Sequence, residues 1–194
     1  MKTCIIPADK KIITMPELSE LGFSAYMIRN MVAHGQLIKL NKSTYENTSY
    51  SGEESDYIYV YAYVRDGVIC LLSAAVLYGL STYRPDCIDV AVTQKRNVST
   101  LPDWPEIKLW YFENIRLETG MTEMEVCNQK VKIYDIEKTV VDIVYYRNKI
   151  GIDETKEVLT NYLKRSDRDI NKLCRYANKL RCKKIIDTYL EVLL

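Results

Sequence analysis

Tyr26, Arg29 and Asn30, within the stretch "GFSAYMIRNMVAHG", are side chains of the types that read or hold nucleic acid. With Ile28 set inward on a helix, Tyr26 and Asn30 lie almost opposite it, Arg29 lies on one flank, and Met27 and His34 lie on the other. Arginine can bond two ways to a guanine edge and asparagine to an adenine edge, while tyrosine can donate to a phosphate or stack on a base. The same face also reads as an ordinary polar helix surface, because Met27 and Ala33 are unremarkable choices for a groove-facing side. Lys39 and Lys42, which follow this stretch, and Lys10 and Lys11, which precede it, could pair with flanking phosphates.

The positioning elements are legible from their punctuation. In "TMPELSELG", Thr14 and Glu17 form a capping box, Pro16 falls in the first turn, and Gly22 suits the stop, which predicts a short helix over about 15–21. Ser24 then caps a second helix with Ala25, Ile28, Met31 and Val32 inward and Gly35 at its end. Two short helices across a tight turn follow the helix-turn-helix plan. "QLIKLNKSTYE" predicts a hairpin directly after them, in the place of a wing.

A second basic cluster lies near the C-terminus, where Lys172, Arg175 and Lys179 fall opposite Ile170 and Cys174, with Lys183 close behind. Such a face fits DNA, RNA or an acidic partner, or simply water.

Catalytic readings fail on what they require. His34 is the only histidine, which removes histidine triads and paired-histidine metal sites. A nucleotidyltransferase needs a Gly-Ser turn and two carboxylates two residues apart on a strand, yet "LYGLSTYRPDCIDVAV" offers only Asp89. No phosphate-loop or dinucleotide fingerprint occurs, and "DRD" at Asp167 to Asp169 reads as a helix start. The residues predict a non-enzymatic chain without metal or cofactor.

Composition sets the outer bounds. The 194 residues are 47% hydrophobic, enough for a real core, and 27 basic residues against 26 acidic ones confine any nucleic-acid site to a local patch. The six cysteines, Cys4, Cys70, Cys87, Cys127, Cys174 and Cys182, show no C-x-x-C pair and read as free thiols of a reducing compartment. With no apolar leader or spanning stretch, the expectation is a cytoplasmic protein off the membrane.

The polar "NTSYSGEESD" predicts a domain boundary, dividing the chain into 1–50 and 51–194. Beyond it, "YIYVYAYV" has the period of a strand and "ICLLSAAVLYGL" that of a buried helix ending at Gly79. "CIDVAV" and "IKLWYF" read as strands, and "MEVCNQKVKIY" as a hairpin turning at Asn128–Gln129. Asp135 and Asp153 are expected to cap helices, with further helices around Leu173 and Ile186. The predicted class is α+β: an N-terminal winged helix-turn-helix followed by a mixed α/β domain with a C-terminal helical layer.

In order along the chain, "TMPELSELGFSAYMIRNMVAHGQLIKLNKSTYE", "VICLLSAAVLYGLSTYRPDCIDVAV" and "KIYDIEKTVVDIVYYRNKIGIDETKEVLTNYL" resemble segments of the AbiEi family of antitoxins. The resemblance runs from about Lys11 to the C-terminus. It implies a transcriptional autorepressor of a type IV toxin–antitoxin system, of the abortive-infection kind that serves phage defence. Its partners would be promoter DNA with inverted repeats and a nucleotidyltransferase toxin, AbiEii-like, countered without a stable complex.

Matched residue by residue, Ser24, Tyr26, Arg29 and Asn30 fall on the family's recognition helix, and Lys39 and Lys42 on its wing. The resemblance also implies a helix from about Asp56, against the period-2 signal of "DYIYVYAYV". Two departures stand out: only "MKTCIIPADKK" is available where relatives carry a full first helix, and the wing reads "LNKSTYE" where they show an arginine and a glycine. The alternative is a protein- or RNA-interaction module that works through Lys172, Arg175, Lys179 and Lys183, with a vestigial winged helix.

Overall fold

The computed structural model describes residues 5–83 and 85–193, so Cys4 lies outside the described residues. The chain divides into two compact units, the first made of 1–66 with 97–105 and 124–131, the second of 67–96, 106–123 and 132–194. The polar stretch 47–56 therefore lies inside the first unit, and a boundary falls between Asp66 and Gly67.

In the first unit, strand β1 (Ile12–Thr14) leads straight into helix α1 (Met15–Glu20). The change of structure happens at Thr14, whose hydroxyl accepts from the Glu17 N–H while the Glu17 carboxylate accepts the Thr14 N–H at 2.7 Å. Among the described residues no helix precedes α1. Helix α2 (Ala25–Ala33) starts at Ser24, whose hydroxyl accepts from Met27 N–H, and gives way at Gly35, whose φ of +71° suits a residue without a β-carbon. Strands β2 (Leu37–Lys39) and β3 (Thr44–Asn47) then form a hairpin, and β3 pairs antiparallel with both β1 and β2 in the order β1-β3-β2.

Ile13, Leu18, Phe23, Ile28, Leu37 and Tyr45 make the core beneath these elements. Of the four residues expected inward on α2, Ile28 is buried, Met31 and Val32 are half-buried, and Ala25 is exposed. Helix α3 (Ile58–Tyr63) occupies the run with strand-like period. Its buried side, Ile58 and Ala62 with Val60 between, uses small residues while the tyrosines between them stay partly exposed, so an alternating pattern was satisfied by a short helix.

The outer edge of β1 is closed by a side chain remote in sequence. Gln129 accepts from the Ile12 N–H and donates to the Ile12 carbonyl, each at 2.9 Å, and so supplies the two bonds that a neighbouring strand would make. Gln129 stands at the start of a strand of the second sheet and within the 124–131 segment of the first unit.

The second sheet has the order β6-β5-β4-β8-β7, from β4 (Val68–Ile69), β5 (Cys87–Thr93), β6 (Glu106–Phe112), β7 (Met121–Val126) and β8 (Gln129–Tyr134). β5 runs parallel to β6 and antiparallel to β4, while β4 runs parallel to β8, so the sheet is mixed. The β7–β8 turn is made by Cys127 and Asn128, both at positive φ, one residue earlier than the expected Asn128–Gln129. Two successive positive-φ residues match the twist of a tight hairpin, and that requirement sets the turn.

The helices of the second unit are α4 (Leu71–Leu77), α5 (Asn114–Glu118), α6 (Ile136–Tyr145), α7 (Arg147–Ile150), α8 (Ile152–Lys164), α9 (Ile170–Lys179) and α10 (Lys183–Leu193). Asp135 caps α6 and Asp169 caps α9 through their carboxylates. α8 begins at Ile152 with Gly151 in the capping position, so Asp153 lies in its first turn, where its charge favours the helix dipole.

α6 is the centre of the helical layer. Val140, Val141, Ile143 and Val144 are buried together with Lys138, Thr139 and Asp142. Asp142 binds the Lys138 ammonium one turn away and the Arg116 guanidinium of α5 at 2.5 Å, so this carboxylate holds two buried cations. Burial pulls the Lys138 pKa down, opposed by Asp142. The architecture is a mixed α/β arrangement of the α+β class.

Candidate nucleic-acid interface

The α2 helix brings most of the expected contact residues to one exposed surface. Ser24 is exposed at the start, Tyr26 is 66% exposed, and Arg29 and Asn30 are exposed on the following turn. Arg29 makes no hydrogen bond or ion pair among the described residues, so its guanidinium keeps all its donors for a ligand. The Asn30 side chain is similarly uncommitted, while its carbonyl lies 2.7 Å from His34 Nδ1. Beside Asn30 and Met27 runs an open groove of about 470 Å³, floored by Phe23, Met31 and Ile6.

Lys39 at the end of β2 and Lys42 in the following turn are both exposed and unpaired among the described residues. The turn that carries Lys42 is held from two sides. Asn41 accepts from Ser43 N–H at 3.0 Å and donates to the Ala62 carbonyl at 2.8 Å, while the Tyr63 hydroxyl donates to the Leu40 carbonyl at 3.2 Å. Sequence reading missed Asn41 and Tyr63, although an Asn two residues before a Ser is the local signal of an Asx turn.

Lys10 and Lys11 behave differently from the expectation that they meet phosphates. Lys10 binds Glu17 of the capping box. Lys11 is only 4% exposed and sits 3.4 Å from Glu54 and 3.8 Å from Glu46, with its ammonium 5.9 Å from the Tyr59 ring centre. Both ammonium groups are engaged within the chain, since acids and an aromatic face replace the solvent they would otherwise lose.

The second basic cluster separates in the same way. Lys172 donates to Glu137 at 3.0 Å and to Asp135 at 3.1 Å, and the Tyr176 hydroxyl donates to Asp135 at 2.9 Å. Burial opposes the Lys172 charge, and the bonds to Glu137 and Asp135 outweigh it and raise its pKa. Lys183 pairs with Asp187 at 2.6 Å one turn along α10. Arg175 and Lys179 stay exposed without a partner among the described residues. Of the four residues expected to form one cationic surface, two thus serve the fold.

Asp89, the lone carboxylate of its strand, is buried and accepts from the Trp110 indole at 2.8 Å. Burial raises its pKa, and its bond to Trp110 counters that rise. Cys70, Cys127 and Cys182 are buried free thiols, and Cys87 and Cys174 are half-buried ones. No described helix is long and apolar enough to cross a membrane.

No family model matches the chain. No curated protein matches it either. Among solved structures, the crystal structure of the RV2827C protein from Mycobacterium tuberculosis is similar over 92% of this chain and 72% of its own, with a TM-score of 0.58 and 16% sequence identity. At that identity the likeness carries the mixed α/β fold and nothing about what either protein binds.

Proposed function

We propose that the chain is a DNA-binding antitoxin and transcriptional autorepressor, with α2 as recognition helix and the β2–β3 hairpin as the wing of a winged helix-turn-helix. The observation that carries the reading is that the side chains of Arg29, Asn30, Lys39 and Lys42 have no partner among the described residues, in a unit where Lys10 and Lys11 are both engaged by acids. In a recognition helix the residues of the first turns meet base edges and flanking cations hold phosphates. Tyr26, Arg29 and Asn30 occupy those turns, and Ser24 caps the end that would enter the groove. The antitoxin half rests on the resemblance of the sequence blocks to AbiEi proteins. Its functional partner would be a nucleotidyltransferase toxin encoded in the same operon.

Gel retardation and footprinting with the DNA upstream of this reading frame test the proposal. We expect protection of an inverted repeat and binding that weakens steeply with salt. Arg29→Ala should cost about 1–3 kcal/mol and relax the preference at one base position, whereas Lys39→Ala or Lys42→Ala should weaken all sequences alike. Absence of retardation at low salt would overturn the DNA reading. The module acting through the C-terminal basic helices is favoured less, because Lys172 and Lys183 already hold acids of this chain.

A further inference from the structure

The second unit contains a cleft of about 430 Å³ at the ends of β6, α6 and α9, within the range of about 300–1,000 Å³ of small-molecule sites. Its walls are aromatic and cationic. Tyr111 is 49% exposed and Tyr145 is 42% exposed, and Arg116, Lys179 and Arg181 line the same space. Glu113 is the one carboxylate lining it among the described residues.

Tyr145 is held in place before any ligand arrives. The Arg116 guanidinium lies 3.8 Å from the centre of its ring, and Arg116 is itself tied to Asp142 at 2.5 Å and to the Leu180 carbonyl at 3.3 Å. The edge of the ring pair is completed by Tyr146, at 4.8 Å and 85°. A half-exposed ring braced by a buried, ion-paired arginine is a preorganised stacking platform.

Arg181 adds a second observation. It follows the α9 C-cap at φ +58°, and Cys182 N–H returns to the Ala177 carbonyl at 2.9 Å, the bonding of a Schellman turn. Glycine suits that position best, and an arginine there is held in a strained, left-handed backbone. The strained residue places on the cleft a guanidinium that has no partner among the described residues, next to the Lys179 ammonium, which has none there either.

We infer that this cleft binds a nucleotide, with the base stacked on the tyrosines and the phosphate held by Lys179 and Arg181. Base–aromatic stacking tolerates any base, since every base has a π face. Glu113 can accept from a sugar hydroxyl, which an anion alone would not supply. The shared chemistry, one base with one phosphate, fits a free mononucleotide or the end of a single strand. The site lies in the second unit and its residues are separate from those of the proposed DNA interface.

Calorimetric titration of the full chain with AMP, GMP, CMP and UMP, with a short single-stranded RNA, and with inorganic phosphate tests the assignment. We expect saturable binding of at least one nucleotide, weakened about tenfold by Arg181→Gly, which keeps the left-handed backbone and relieves its strain. Lys179→Ala, an exposed change, should weaken it similarly, and Arg29→Ala should leave it intact while weakening DNA binding and relaxing its preference at one base position. Tighter binding of the RNA than of any mononucleotide identifies a strand end, and the reverse identifies a free nucleotide. The inference is overturned if no nucleotide saturates, if inorganic phosphate binds as tightly as the nucleotides, or if Arg181→Gly and Lys179→Ala bind like the parent.

Discussion

The outer faces of α2 and α9 both carry basic side chains, Arg29 on the first and Lys172, Arg175 and Lys179 on the second, yet they differ in what those cations do. On α2, Arg29 is exposed and has no partner among the described residues, with Tyr26 and Asn30 exposed near it on the helix. On α9, Lys172 is held by Asp135 and Glu137, and its aliphatic stem is partly covered. A basic stripe is therefore not one surface. Each cation must be asked which acid faces it from another element, and only the unanswered ones remain for a partner.

The largest test of this contrast lies deeper, at Asp142, the carboxylate between two buried cations. Asp142→Ala leaves Lys138 and Arg116 without their acid and should cost about 3–5 kcal/mol, read as a lowered urea midpoint and melting temperature. A variant that melts with the parent would break the claim that charges of the second unit serve its fold.

Lys172→Ala should cost less, about 1–2 kcal/mol, because the ammonium is still partly solvated. If its melting curve were unchanged, the two helix faces would be alike after all.

A pH measurement sharpens the same point for an acid. The Glu157 carboxylate accepts from the Ser81 hydroxyl at 2.7 Å and from Thr82 N–H at 2.9 Å, and these bonds, that of Ser81 foremost, hold its pKa below the ordinary 4.5. A carboxyl lowered on folding adds stability above its unfolded value and loses it as pH falls through the folded value. The gap between the parent and Glu157→Gln should thus be about 1 kcal/mol in neutral buffer, after screening, and should close on acidification. At the small end, Arg29→Ala should change stability by no more than about 0.5 kcal/mol, since that exposed side chain bonds to none of the described residues.

Much of the local structure was legible in the residues. The Thr14–Glu17 box, the Ser24 cap, and the Asp135 and Asp169 caps each appear where their side chains can reach an N–H three residues on. The run 57–63 was not legible from its period, because seven residues of alternating tyrosine and small apolar groups satisfy a strand and a short helix equally well. The Asn128–Gln129 turn was misplaced by one residue because Cys127 is not a residue that usually announces a positive φ. The Lys138–Asp142 pair did leave a signal, two opposite charges one turn apart inside "KTVVDIVYY", which a reading for apolar stripes passes over.

Caps, stops, hairpins and the exposed arc of α2 have their causes within a turn or two of chain. Those depend on backbone groups a few residues apart, so the types and spacing suffice. Which charges are left for a partner depends instead on packing between distant segments. Lys11 meets Glu46 and Glu54, Lys172 meets Asp135 and Glu137, and Gln129 closes the edge of β1, all across long stretches of chain. Such partners are chosen by how the elements pack, because a buried ammonium or backbone edge must find its bonds from whatever the fold brings alongside.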